Sequence, residues 1–138
     1  MLCLDTHGYG YSKTLCRKVC EWFMNDNFPR HSVYLYVVHR GLKREFAYGY
    51  CDIAGSTYKP RDFLIEMDTY MNRELYIQTL LHELYHVKQF ISGELKIKAS
   101  KRYFRGECVE DFDYSEQPHE IFARFYERVL YNKFISLT

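Results

Sequence analysis

One segment restricts the fold more than any other. Asn72 has the chemistry of a helix N-cap and Gly93 that of the residue just past a helix end, so Arg73 to Ser92 between them is predicted to form one long helix. In its middle stands Leu81-His82-Glu83-Leu84-Tyr85-His86. Residues four apart lie one above the other on a helix, so His82 and His86 project from one face and can share a tetrahedral ion. Glu83 is turned by about 100° from His82, which sets its carboxylate beside such an ion rather than on it. A general base that takes a proton from a metal-activated water has to stand there. The His-Glu-x-x-His spacing therefore matches the geometry that zinc-assisted hydrolysis needs. The competing reading is a core helix whose histidines are satisfied by hydrogen bonds, since two ligands alone hold zinc poorly.

The rest of the chain predicts an α+β fold. Leu15, Val19, Trp22 and Phe23 recur at helical spacing, giving an amphipathic helix from about Ser12 to Asn25 that the cluster Asn25 to Pro29 ends. Three β-rich runs follow, Val33 to His39, Phe46 to Ile53 and Phe63 to Asp68, separated by loop-like stretches. Their short connections suggest an antiparallel meander, within a small antiparallel or mixed sheet of three to four strands. Tyr103 to Val109 reads as a short strand or hairpin arm, and Pro118 opens a last helix that runs to about Phe134. With no repeat or low-complexity segment, residues 1 to 138 are expected to form a single domain.

Composition excludes several classes of function. At 47% hydrophobic and 27% charged residues, the chain is of globular type, and no apolar run reaches the length of a membrane span. Its first residues lack the features of a secretory signal, so a cytoplasmic location is expected. Five scattered cysteines argue against a disulfide framework, and Cys16 with Cys20, one turn apart, has no second pair to complete a metal site. A net charge of +1 gives no general attraction to nucleic acid. The local run Lys96, Lys98, Lys101, Arg102 and Arg105 is the one basic concentration, with Tyr103 and Phe104 as candidate stacking rings for a single strand. Fourteen tyrosines and ten phenylalanines fit either an amphipathic core or an aromatic groove for an extended ligand.

A third metal ligand decides between the readings of the helix. A histidine six residues after His86 would make a metzincin, but Ser92 is there and Gln89 replaces the required glycine. The remaining candidates are His119 and Glu120, adjacent at the start of the last helix.

The stretches FLIEMDT, TLLHELYHVKQFISGEL, YFRGE and DYSEQPHEIFARFYE, taken in order, resemble the small SprT-like zinc metallopeptidases, especially their single-domain phage forms, and are similar in layout to minimal gluzincins. The resemblance covers about residues 49 to 127. It implies a minimal zincin-like domain, a bound Zn2+, and peptide or protein substrates, with Glu120 as third ligand beside His82 and His86. Ala123 would be the small residue where helices pack closely. His119 stands where such relatives carry tryptophan. Two departures limit the transfer: no histidine lies between His86 and His119, and these residues contain no CxxC for a zinc ribbon. DNA-linked functions of the larger relatives are therefore not carried over.

The leading expectation is a metallopeptidase in which Glu83 activates water and Tyr114 or His119 steadies the oxyanion. The alternatives are an inactive, zinc-bearing interaction module and a nucleic-acid-associated protein. No membrane partner is expected. The strand Phe63 to Asp68 is expected to form the open rim on which an extended substrate pairs.

Overall fold

The first residues, LCLDTHG, form a strand that the sequence reading did not anticipate, β1 (Leu2–Gly8). The computed structural model, which describes residues 1–137, continues with α1 (Lys13–Asn27), β2 (Val33–His39), β3 (Gly49–Ile53), β4 (Asp62–Met67) and α2 (Arg73–Ser92). A small hairpin region follows, made of β5 (Leu95–Lys98), β6 (Lys101–Phe104) and β7 (Glu107–Cys108), before α3 (Pro118–Ser136). The architecture is α+β, with three helices and two small sheets.

The larger sheet has the order β1-β2-β4-β3 and is not the expected meander. β1 and β2 are parallel, as are β2 and β4, and only β3 runs antiparallel, against β4. The crossover through α1 makes the first parallel pair, because parallel neighbours cannot be joined by a tight turn. The second arises because the long link through residues 40–48 carries the chain past one strand position. β3 therefore lies at the edge, and β4 fills the gap between it and β2. The inward face explains the preference for the centre. Val33, Leu35, Val37 and His39 of β2, with Phe63, Ile65 and Met67 of β4, are all buried, whereas β3 alternates with exposed Tyr50 and Asp52. The expectation that residues 63 to 68 form an open rim fails for the same reason: β4 is hydrogen-bonded on both sides.

The N-terminal caps of α1 and α2 are local chemistry. The Ser12 and Asn72 side chains accept from the backbone N–H groups of Leu15 and Leu75, at 3.2 and 2.8 Å. Gly93 closes α2 in the left-handed conformation, φ 84°. α1 buries Leu15, Cys16, Val19, Cys20, Phe23 and Met24 against the sheet and α2. α3 begins at Pro118 and packs along α2, with Ala123 fully buried and Tyr126 stacked on Tyr85 at 4.9 Å. The small sheet and the turn after it join the core through buried Leu95, Phe104 and Val109, with Phe104 against Phe122 of α3 at 5.6 Å. Its first hairpin turns through Ala99 and Ser100 and its second through Arg105 and Gly106, all at positive φ, as two-residue hairpin turns require.

Candidate metal centre and cleft

α2 and α3 cross where each carries polar side chains on a buried face. His82 and His86 leave α2 on the same side, and Glu120 reaches them from the first turn of α3. The His82 Nε2 lies 2.9 Å from the Glu120 carboxylate, and the His86 Nε2 lies 3.2 Å from it. The ligand atoms of these three buried residues all fall within 4.8 Å of one another, so the group can hold a metal ion. Among the described residues no other group of three or more histidine, cysteine or acidic side chains does so.

The far nitrogens are also engaged. His82 Nδ1 is 2.8 Å from the Glu127 carboxylate, and His86 Nδ1 is 2.7 Å from Gln89 Oε1. Gln89 in turn donates through Nε2 to the His119 backbone carbonyl at 3.0 Å, which ties α2 to the start of α3. Glu127 and Gln89 are the two residues of this arrangement that the sequence reading missed. Gln89 is one turn beyond His86 and Glu127 two turns beyond Glu120, so helical spacing was the signal available for each.

The field at this point favours positive charge. Burial opposes a charged imidazole at His82, but hydrogen bonds to Glu120 and Glu127 outweigh it and push the group up to about 10. Burial would likewise raise the Glu120 carboxyl, yet its bonds with His82 and His86 hold it well below the usual carboxylate range. Burial pushes the Glu83 carboxyl above its ordinary value, against the pull of His86 and His82.

Glu83 stands beside the three, at the floor of a cleft of about 780 Å³. The edge strand comes down directly over it. A Cβ added at Gly49 would sit 3.1 Å from Glu83 Oε2 and 3.1 Å from the Glu66 carbonyl, so the lack of a side chain there leaves room for the carboxylate. Tyr114 also lines the cleft and is two-thirds exposed. Burial of its hydroxyl end, then the Glu120 and Glu83 carboxylates, push the phenol up, so it remains a proton donor. His119 lines the cleft but is buried, with Nε2 3.8 Å from Glu120 and Nδ1 without a hydrogen-bond partner. Burial, then the neighbouring His86, push it down to about 4, so the ring is neutral.

The structure thus brings His82, His86 and Glu120 together, sets Glu83, Tyr114 and His119 around them, and leaves His119 outside the converging group. The basic run is less free than its composition suggests. Phe104 is buried, Arg105 pairs with Glu94 at 2.8 Å and Arg102 approaches Asp52 at 3.6 Å, while Lys96, Lys98 and Lys101 remain exposed. Among the described residues no helix is long and apolar enough to cross a membrane.

No family model, no curated protein and no solved structure matches this chain. What defines it is therefore its own geometry, a candidate metal centre between two helices of a small α+β fold.

Proposed function

We propose that this chain is a zinc-dependent peptidase of minimal zincin type, similar to the small SprT-like metallopeptidases, with His82, His86 and Glu120 as ligands. The observation that carries the reading is the convergence of two imidazole nitrogens on one carboxylate with a further carboxylate, Glu83, beside them in an open cleft. Two imidazoles and a carboxylate form a donor set that suits zinc with a position left open. Ligand atoms around tetrahedral zinc lie about 3.4 Å apart for bonds of about 2.0–2.1 Å. The carboxylate-to-imidazole distances of 2.9 and 3.2 Å lie close to that value, and all three ligand atoms fall within 4.8 Å of one another. When bound, zinc polarises a substrate carbonyl and lowers the pKa of a water toward about 7.

The chain's own groups do the rest. Glu83 accepts the proton of the attacking water and returns it to the departing amine. Tyr114 donates its hydroxyl to the carbonyl oxygen as charge builds there, and neutral His119 packs behind Glu120. β3 replaces residues 63 to 68 as the rim. Its outer edge lies along the cleft, so an extended peptide can pair with the backbone there, which favours unfolded segments as substrates.

The Glu83→Gln variant tests the reading, because the amide keeps the shape but cannot accept a proton. It should retain fold and metal and hydrolyse an unfolded protein at least about 100-fold more slowly. Unchanged turnover would remove Glu83 from the mechanism. A wild-type protein that binds zinc and cleaves nothing would favour the interaction-module reading instead.

A further inference from the structure

The link from β2 to the edge strand contains the most exposed large apolar residue among those described, Phe46, at 97%. Its backbone is left-handed, φ 54° and ψ 38°, a conformation unfavourable for a bulky side chain. The Phe46 N–H donates to the Lys43 carbonyl at 3.1 Å, which closes a short helical turn and accounts for the backbone, but the exposure of the ring itself is left unexplained by the fold. Left-handed non-glycine residues cluster at active sites and ligand clamps, and Phe46 stands at the cleft.

The segment is braced rather than loose. Leu42 is fully buried and its N–H donates to Asp68 Oδ1 at 2.8 Å. Arg40 donates to both Glu66 and Glu45, and the Asp68 N–H donates to the Tyr48 carbonyl at 2.8 Å. Anchors at 42, 45 and 48 therefore flank Phe46 on both sides. Phe46, Tyr48 and Gly49 all line the cleft.

We infer that Phe46 is a specificity-determining residue, an anchored aromatic ring that meets an apolar side chain of a peptide lying along β3. The inference rests on the peptidase reading of the same cleft. Gly49 lies against the Glu83 carboxylate, and Phe46 precedes it by three residues, a span of at most about 10 Å. The substrate side chain that meets the ring is thus leucine, methionine or an aromatic within about three residues of the cleaved bond. A ring carried on a braced backbone has only its two side-chain torsions left to order on binding, a low cost for the apolar area it offers.

Two measurements test this separately from the peptidase reading. In the first, zinc-loaded wild type and Phe46→Ser digest the same peptide library. Wild type should prefer apolar residues at one position within three of the cut, and Phe46→Ser should lose about tenfold in kcat/KM for those peptides with little change for alanine there. An unaltered preference would overturn the role of Phe46 and leave the peptidase reading standing. In the second, labelled unfolded peptides carrying leucine or alanine are titrated against Glu83→Gln protein with and without Phe46→Ser. Leucine should strengthen binding only when Phe46 is present, and this holds as a test even if no cleavage is seen. Equal binding of both peptides would sink the inference. Phe46→Gly should melt at the same or a higher temperature, because glycine adopts the left-handed backbone freely. A lower melting temperature would show that the ring supports the fold, which also contradicts the inference.

Discussion

Each histidine of the centre is held at both ring nitrogens, and this decides how single substitutions should behave. With Nδ1 engaged by Glu127 or Gln89, the ring of His82 or His86 presents Nε2 in one orientation. Glu127→Ala should therefore weaken zinc binding by about 10–100-fold while the fold persists, measured by competition with a chromophoric chelator. Unchanged affinity would separate Glu127 from the centre. In the same assay Glu120→Ala should cost far more than His119→Ala, and the reverse ranking would make His119 the ligand. The pair His82 and His86 is legible in sequence because four-residue spacing within one helix is a local fact. Glu127 is not, since its place on the face of Glu120 carries meaning only once α3 is known to cross α2 at His82. His119 next to Glu120 shows the same limit, as adjacency in sequence leaves open which of two neighbours turns inward.

Among the elements, α2 was readable to the residue because Asn72 and Gly93 act on their own backbone. The sheet was not. Strand order depends on which faces bury together, and β2, β3 and β4 look alike as short apolar runs until the buried pattern of β4 places it between the other two. β1 escaped notice because Asp5, Thr6 and His7 dilute its apolar signal, and its pairing with β2 does the work of a longer hydrophobic run. The corrected order moves the open edge to β3, which under the proposed peptidase reading is where a substrate pairs. A proline placed where its N–H would pair with β3 should slow cleavage by about tenfold, the size of one hydrogen bond worth about 1.4 kcal/mol. A flat proline scan, read from initial rates on matched peptides, would rule out pairing with the edge.

For the molecule as a whole, the apolar core and the polar centre adjoin, with Phe90, Leu95 and Val109 belonging to the core and also lining the cleft. Phe23, Phe63, Phe134, Leu35, Ile65 and Leu80 are fully buried between the sheet and the helices, and each such side chain contributes about 1.5–3 kcal/mol. The centre sits where α2 and α3 meet at the cleft, and its polar side chains are not among the apolar residues that fill the core. On the proposed reading, these buried acids and imidazoles are held for what they bind. Elemental analysis of protein produced with zinc supplied and purified without chelator tests that claim most directly. About one zinc per chain is predicted for the wild type, as a centre of three protein ligands requires, with the metal lost in His82→Ala or His86→Ala. Wild-type protein that is folded, supplied with zinc and free of stoichiometric metal would contradict it.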